Sequence, residues 1–379
     1  MSAGFEHYVL SGGRRLRCGY TTGTCAALAA AGAVRLLLTG TPPPSVSLET
    51  PRGITVEVPL EACRLECGKA SCAVRKDGGD DIDATSGLLV FVHAERQDAP
   101  GTVIEGGEGV GRVTKPGLDQ PVGAAAINRV PRQMIREAAA AVCGELGYGG
   151  GLRITVTVPG GREAAKRTFN PELGIEGGIS ILGTSGIVEP MSLRALADTV
   201  SLEIRQAAAL GSRHIILTPG NFGLDFLRVQ GLDRRGVPVV KCSNFIGDAL
   251  DACAGADLET VLLAGHIGKL GKLSGGIMNT HSRFADCRTE LFCAHAAVCG
   301  ASAQVCRALM DAVSSDACIA ILDRAGLRET VLERMLSAIQ RHLDRRTGGA
   351  CQSGAILFSN EYGPLGQTEA VKEIVNAWK

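Results

Sequence analysis

The sequence has few of the features that mark nucleic-acid-binding or membrane proteins. Its 39 basic and 39 acidic residues balance, so no net charge attracts it to a phosphate backbone or an anionic lipid surface. Aromatic residues make up only 4%, which leaves little material for a base-stacking surface. Met1–Tyr8 carries no basic, apolar leader, and the apolar helical run Cys25–Leu38 contains Arg35 and is too short to cross a bilayer. These features predict a cytoplasmic protein that binds neither nucleic acid nor membrane.

The fourteen cysteines include no Cys-x-x-Cys pair. Cys63, Cys67 and Cys72 superficially resemble an iron–sulfur triplet, but the second gap is two residues too long and the segment has the pattern of a strand. Thiols stay reduced in a cytosolic protein. We therefore predict buried, inert thiols and no protein-bound metal.

Glycine is abundant, with 50 residues, roughly twice the usual share. The glycines are not periodic, and they cluster after apolar runs. Glycine at such places lets the backbone turn sharply or approach a ligand closely. This distribution favours a small-molecule enzyme whose ligands bind in loops that follow strands.

The first part of the chain groups strands between two helices. Thr21 and Thr22 are candidate caps for the first helix, and Gly40 is its expected stop. Strands grouped in this way predict an α+β domain over residues 1–175. The predicted helices run from about Gly23 to Leu38 and from Pro131 to Gly147, and the predicted strands are Val46–Glu49, Ile54–Val58, Cys72–Arg75, Leu88–His93 and Leu152–Val158.

The second part alternates five short apolar runs with helical stretches, and each run leads into a loop that bears Gly, Ser or Asn. This alternation of predicted strands and helices is typical of a doubly wound, mostly parallel, Rossmann-like sheet, whose ligands bind at the carboxyl ends of the strands. We predict such an α/β domain over residues 176–379, with the boundary in the Gly- and Pro-rich stretch Pro159–Gly178. The runs are Ile179–Leu182, His214–Thr218, Val237–Lys241, Val261–Ala264 and Ala355–Ser359.

One glycine-rich turn follows the first of these runs. Gly183, Thr184, Ser185 and Gly186 would present backbone N–H groups at a helix start, which suits a nucleotide phosphate or the carboxylate of S-adenosylmethionine. The complete Gly-x-Gly-x-x-Gly spacing is missing, and a purely structural tight turn is the alternative. No acid follows His214–Thr218 to hold a ribose, and Asn221 is the nearest polar substitute.

A second loop, Gly265–Lys272, places His266, Lys269 and Lys272 after an apolar strand, with His281 a short way downstream. It could form a polar mouth for a carboxylated ligand, with His266 as a proton carrier or hydrogen-bond donor. A solvated loop with a helix cap at Thr280 is the alternative.

Two polar segments lie in the first domain. Lys76–Asp83 holds four carboxylates, Asp80 and Asp81 among them, which could bind polar substrate groups or a cationic sulfonium, or form a solvated acidic turn. Arg17–Ala27 is a hydroxyl-rich helix start that could hold a carboxylate or cap a helix in the ordinary way. Its hydroxyls belong to Tyr20, Thr21, Thr22 and Thr24.

Seven blocks, in order across both halves, resemble the CbiD family, the cobalt-precorrin-5B (C1)-methyltransferases. Together they are far more specific than any one of them. They are Leu16–Ala27, Lys76–Asp83, Gly106–Leu118, Ala126–Arg132, Gly183–Pro190, Thr218–Gly223 and Gly265–Ser282.

The resemblance implies methyl transfer from S-adenosylmethionine to carbon 1 of cobalt-precorrin-5B in the anaerobic route to cobalamin. Such corrinoids carry acetate and propionate arms, which basic side chains would bind. The sulfonium is an activated donor, so the protein needs only to orient the reactants and exclude water, and His266 is expected to orient rather than to act as an essential base. The implied carboxylate partners are Arg17, Lys115, Arg132, Lys269, Lys272 and Arg283.

Two other readings stay open. A glycine turn after a strand also suits a nicotinamide-dependent reductase of the same pathway, and many Cys and His residues would suit a corrinoid or cobalt carrier. Neighbouring enzymes of the pathway are possible partners. The oligomeric state does not follow from the sequence.

Overall fold

The computed structural model describes residues 5–11 and 13–378. The chain forms two compact units, Met1–Ser192 and Leu193–Lys379, and each is a mixture of helices and sheets. The sequence pattern puts the boundary between residues 175 and 176, whereas the division between the compact units comes after Ser192.

Unit one is built on a five-stranded mixed sheet with the order β6-β7-β8-β12-β9. The helices are α1 (Thr22–Thr39), α2 (Arg129–Glu145) and α3 (Gly161–Ala165). The strands are β1 (Tyr8–Ser11), β2 (Arg14–Arg17), β3 (Gly19–Tyr20), β4 (Ser45–Glu49), β5 (Thr55–Pro59), β6 (Glu61–Glu66), β7 (Lys69–Arg75), β8 (Leu89–Gln97), β9 (Thr102–Gly106), β10 (Gly109–Val110), β11 (Arg112–Val113), β12 (Gly151–Thr157), β13 (Ile175–Glu176), β14 (Gly178–Ile179) and β15 (Ile187–Val188).

The core of unit one follows from side chains that alternate between the two faces of the sheet along each strand. In β8, Val90 and Val92 point into the core, as do Leu152 and Ile154 of β12, so one face of the sheet is apolar. Helix α1 packs on β7 and β8, α2 packs on α1, and residues of both helices belong to the same core cluster. Of the two candidate caps of α1, Thr21 is confirmed, because its side chain accepts the Thr24 N–H, whereas Thr22 is the first helical residue. Gly40 is confirmed as the stop and has the left-handed conformation at φ 74°.

Helix α1 is long and apolar enough to cross a membrane by length and composition alone. At 18 residues it is longer than the predicted apolar run, so shortness does not exclude a span. The fold accounts for its composition in another way, because 78% of the apolar window is buried inside the protein. Small residues such as Ala26, Ala29 and Ala30 are completely buried and let α1 lie close to its neighbours.

Unit two contains a second five-stranded sheet with the order β17-β16-β18-β19-β20. The strands are β16 (His214–Thr218), β17 (Val239–Lys241), β18 (Thr260–His266), β19 (Gln352–Ser359) and β20 (Gly363–Gln367). The helices are α4 (Leu193–Ala209), α5 (Asn221–Val229), α6 (Ile246–Ala254), α7 (Ile267–Leu270), α8 (Arg288–Val298), α9 (Ala303–Met310), α10 (Ser315–Arg324), α11 (Arg328–Thr347) and α12 (Val371–Asn376), with 3₁₀ turns at Asp233–Arg235 and Gly271–Gly275.

Strands β16 to β19 are mutually parallel, and β20 is antiparallel to β19. Both faces of the sheet are apolar. Ile215 and Leu217 of β16 belong to the core cluster that contains α6 and α11, while Ile216 belongs to the cluster with Leu227 of α5 and Ile374 of α12. The continuous apolar runs in the sequence therefore reflect strands covered on both sides.

The prediction that Ile179–Leu182 is the first strand of this sheet is wrong. Gly178–Ile179 pairs with Gly109–Val110, and Ile181 forms an isolated bridge with Ile127, all within unit one. Ile179 and Ile181 are buried in the core of unit one, so their apolar character comes from that core. The fifth strand is β20, whose sequence GPLGQ lacks an apolar run.

Candidate functional site

The carboxyl ends of β16, β17, β18 and β19 lie along one edge of the unit-two sheet because the strands are parallel. We call the loops that follow them the carboxyl edge. Three of the predicted site residues, Asn221, His266 and Lys269, occupy this edge. Asn221 is exposed at the first position of α5, directly after the loop that leaves β16.

His266 ends β18 and caps the short helix α7. Its Nδ1 accepts the Gly268 N–H at 3.0 Å, so in the neutral ring the proton is on Nε2. Nε2 lies 4.0 Å from Oδ2 of Asp316. Partial burial lowers the pKa of His266 below its ordinary value, and the charge of Asp316 opposes that shift. His266 is therefore placed as a neutral Nε2–H donor.

Asp316 and Ser359 are members of this cluster that the sequence analysis missed. The Ser359 hydroxyl, at the end of β19, donates to Oδ1 of Asp316 at 2.6 Å, and accepts the N–H groups of Glu361 and Tyr362. Asp316 stands in the first turn of α10, after the capping residue Ser314. The Ser-Ser-Asp helix start was readable in the sequence, but its place beside His266 depends on how α10 packs.

Lys269 lies one turn beyond His266 and is partly buried. Burial lowers the pKa of its ammonium group; the nearby Cys242 thiol acts in the opposite direction, and Lys272 adds to the lowering. Within residues 5–11 and 13–378, the ammonium has no hydrogen-bond or ion-pair partner. A desolvated, unpaired cation favours an anionic ligand, because a buried charge without a counter-charge is costly.

Lys272 is directed into the protein. Its side chain is 3% exposed, and its ammonium donates to the carbonyl oxygens of Thr280 at 3.1 Å and Ala285 at 2.8 Å. A carboxylate oxygen of Asp286 lies 3.6 Å away. Direct binding of substrate by Lys272 stays a prediction, and in this structure its donors hold the segment around His281.

In unit one, the acidic run and the helix start are packed against each other. Arg17 makes a bidentate pair with Asp77 at 2.5 and 2.9 Å, and its backbone N–H donates to Asp80. Burial would raise the pKa of Asp77, but the hydrogen bonds from Arg17 and the Gly79 N–H outweigh it, so that pKa lies below its usual value. Asp81 accepts the Met191 N–H at 3.2 Å. Arg17, Asp80 and Asp81, predicted to bind substrate, thus have structural partners.

The threonine hydroxyls at the start of α1 are also used internally. Thr22 Oγ1 donates to the carbonyls of Ser180 and Leu182, and Thr24 Oγ1 donates to the Gly186 carbonyl at 2.7 Å. With Thr21, these side chains are 5% exposed or less. The Gly23 N–H is taken by Leu182 O, which leaves this helix start little capacity to bind an anion.

The turn of Gly183, Thr184, Ser185 and Gly186 packs on these threonines and does not open a helix; α4 begins only at Leu193. The glycines are needed for close approach, since a Cβ at Gly183 would lie 2.3 Å from Thr21 Oγ1 and one at Gly186 would lie 2.7 Å from Thr50. Thr184 is exposed, and Ser185 bonds its own turn. Binding of the methyl donor at this turn stays a prediction, although the helix start on which it depended is not there.

The remaining predicted carboxylate partners contact backbone carbonyls. Arg132 donates to Ile127 O and Ile104 O, each at 2.9 Å, and burial lowers its pKa. Lys115 donates to Glu172 O at 3.2 Å. A guanidinium has five N–H donors and an ammonium three, so both side chains keep donors for an anion, and carboxylate binding by them stays a prediction.

Comparisons with known proteins agree with the order of the sequence blocks. Residues 10–190 match the CbiD family model, and residues 279–369 match the model of the CbiD C-terminal domain. A protein of Ruminiclostridium cellulolyticum named cobalt-precorrin-5B C(1)-methyltransferase is 43% identical, over 97% of this chain and 98% of its own length. This chain belongs to the CbiD family. A relative of the same name from Alkaliphilus metalliredigens is 40% identical, over 95% of this chain and 94% of its own length.

One solved structure of the family is also similar in sequence. It is the crystal structure of a cobalamin biosynthesis protein, CbiD, from Archaeoglobus fulgidus, which is 31% identical, with 73% of this chain and 86% of that chain covered. The TM-score is 0.39.

Proposed function

We propose that this chain is the methyltransferase that adds a methyl group to carbon 1 of cobalt-precorrin-5B, giving cobalt-precorrin-6A in cobalamin biosynthesis. The observation that carries the proposal is similarity along almost the entire chain to relatives that bear this enzyme name. Similarity confined to a sheet or a glycine turn would support only a fold. We also propose a cytoplasmic location, as the sequence predicts.

We propose S-adenosylmethionine as the methyl donor and the carboxyl edge of unit two as its site. The strand order supports a doubly wound sheet, because the connections from β16 and β18 leave in opposite directions along the sheet, and ligands bind at such a switch point. Lys269 offers an unpaired cation for the methionine carboxylate. Within the described residues, the buried Ser315 hydroxyl has no hydrogen-bond partner. It lies close to His266, since a Cβ built at Gly268 would be 3.5 Å from this hydroxyl and 3.2 Å from His266 Nδ1.

An apolar groove beside this edge suits the adenosyl group. It has a volume of about 770 Å³ and is lined by residues that include Phe226, Ile356 and Leu365. The volume is within the range of small-ligand sites. The ring of Phe358 lies near both: its centroid is 4.4 Å from that of Phe226, which lines the groove, and 5.8 Å from that of His266.

The sulfonium, when bound, supplies an activated methyl group, and the corrinoid carbon is the nucleophile. The protein's own residues then have to orient the two reactants, exclude water from them and stabilise the charge that shifts during the transfer. Lys269 would hold the donor carboxylate, and the neutral His266 Nε2–H, directed by Asp316, would hydrogen-bond a polar group of donor or substrate. No side chain is required to take a proton.

The experiment is incubation with methyl-labelled S-adenosylmethionine and cobalt-precorrin-5B, followed by mass spectrometry. We expect one added methyl group at carbon 1 and, in calorimetry, binding of S-adenosylhomocysteine but not of NADPH. Reduction of the substrate with NADPH, or corrinoid binding without methylation, would instead support the reductase or the carrier.

A site-directed pair tests the donor site. Lys269→Ala should weaken S-adenosylhomocysteine binding about tenfold, the usual effect of losing one charge-assisted hydrogen bond. Thr184→Ala, at an exposed position of the unit-one turn, should leave it unchanged. The opposite pattern would move the donor to the turn of Gly183–Gly186.

A further inference from the structure

A short segment beside the carboxyl edge presents basic and aromatic side chains to solvent. It consists of residues 281–284, which we call the basic loop: His281, Ser282, Arg283 and Phe284. It lies between the 3₁₀ turn Gly271–Gly275 and α8.

Buried contacts hold the basic loop at both ends. The Lys272 ammonium donates to Thr280 O, immediately before the loop, and to Ala285 O, immediately after it. The Thr280 hydroxyl and N–H bond to Asn244, in the loop that follows β17. A buried cation between two carbonyls therefore holds the loop against the carboxyl edge.

The basic loop is also ordered within itself. Its Arg283 N–H donates to His281 Nδ1 at 3.1 Å, and the Phe284 N–H donates to His281 O at 3.0 Å. The Arg283 guanidinium carbon lies 5.8 Å from the centroid of the Phe284 ring, and the His281 ring meets that ring edge-on at 6.4 Å. The three side chains thus form one preorganised surface.

The chemistry of this surface points to a flat ligand that carries carboxylates. Phe284 is 57% exposed and lies beside the Arg283 guanidinium, so its ring can contact an apolar ligand surface next to a charged group. Within the described part of the chain, Arg283 has no acidic partner, so its guanidinium can take a carboxylate in bidentate fashion.

We propose that the basic loop binds the corrinoid: Arg283 pairs with a carboxylate arm, Phe284 contacts the apolar rim of the macrocycle, and Lys272 is the positioning residue that holds the loop in place. The proposal rests on the proposed function for the identity of the ligand. It also gives Lys272 a role that needs no direct contact with the substrate, because the N–H donors of Lys272 bind backbone carbonyls.

The test is calorimetric titration with two stable corrinoids, cobyrinic acid, whose arms are free carboxylates, and cobinamide, whose arms are amides. Arg283→Gln should weaken cobyrinic acid binding about tenfold and leave cobinamide binding unchanged, and added salt should shrink the difference. Phe284→Leu should weaken both ligands several-fold. Matched controls are Arg345→Gln, an exposed arginine on α11, and Phe169→Leu, a phenylalanine equally exposed at 57%.

The positioning role of Lys272 needs its own readout. Lys272→Met keeps a long unbranched side chain but leaves two carbonyls without a donor. Trypsin should therefore cut after Arg283 faster, and cobyrinic acid binding should weaken about as much as in Arg283→Gln. Affinity for S-adenosylhomocysteine should not change. If the variant loses both affinities together, Lys272 only stabilises the unit, and the positioning role is wrong.

The outcomes separate this proposal from the proposed function. Equal affinity of wild type and Arg283→Gln for cobyrinic acid would overturn the basic loop as a carboxylate site, even if methylation of cobalt-precorrin-5B is observed. Conversely, a tenfold loss in Arg283→Gln would support the loop even if methylation failed, because binding is measured without the donor.

Discussion

At the scale of single residues, the hydrogen bonds around His266 favour its neutral form. The Gly268 N–H occupies Nδ1, and protonation there would break the cap of α7. Partial burial lowers the pKa further, whereas Asp316, the acidic group that faces the ring, favours the charged form without reversing the shift. The proton on Nε2 is therefore available for donation at neutral pH.

The lowered pKa of His266 predicts a pH-dependent contribution to stability. The unfolded ring titrates near 6.5 and the folded ring at lower pH, so below pH 6.5 the unfolded state binds more protons. The free energy of unfolding should fall as pH drops through this window, and less so in His266→Gln. Urea unfolding at pH 5.5 and 7.5 gives the change in the free energy of unfolding for each protein, and the two changes are then compared. An equal drop in both proteins would mean that the surroundings do not disfavour the charged ring.

Lys269 and Lys272 have different environments that the sequence could not distinguish. Both follow His266 in one glycine-rich segment, and both were predicted to meet the ligand. A difference of three residues turns one ammonium towards the edge and the other into the fold, where Thr280 O and Ala285 O bind it. Only the packing of the segment before α8 decides this.

At the scale of elements, two polar segments of unit one cross with their backbones in contact. A Cβ at Gly19 would lie 2.2 Å from Asp77 O, and a Cβ at Gly79 would lie 2.3 Å from Arg17 O. The crossing explains how Arg17 and Asp77 come to form their bidentate pair. It also explains why glycine stands in both segments.

The crossing predicts that Gly19→Ala is destabilising. The added methyl group must displace backbone, which typically costs about 1–3 kcal/mol. Gly144→Ala is the matched control, because that glycine is in α2 with open space around it, and alanine there should stabilise the helix by up to about 1 kcal/mol. Thermal and urea unfolding measure both. Equal stability of Gly19→Ala and wild type would mean that the segments can separate without cost.

At the scale of the whole molecule, each compact unit has its own hydrophobic core. The large core cluster of unit one lies within residues 18–187, and the two clusters of unit two lie within residues 200–374. All groups proposed for the donor belong to unit two. A protein of residues 193–379 should therefore fold and bind S-adenosylhomocysteine with an affinity similar to that of the full chain, as measured by calorimetry. Binding retained only by residues 1–192 would place the donor in unit one.

Features that depend on local chemistry could be predicted from the amino-acid sequence alone. The cap and stop of α1 follow from Thr21 and Gly40, and the strands His214–Thr218 and Thr260–His266 follow from apolar runs that are buried on both faces. The family followed from the ordered blocks, which the comparisons confirm.

Long-range packing, in contrast, decides which apolar runs share a sheet and which polar groups are free to bind a ligand. Ile179–Leu182 has the pattern of a sheet strand, but its burial in unit one comes from partners far away in sequence, Val110 and Ile127. Asp316 and Ser359 reach His266 from helices and strands that local patterns cannot place side by side. A polar side chain looks the same in sequence whether it binds a carbonyl or a substrate, because the difference is the position of its neighbours in space.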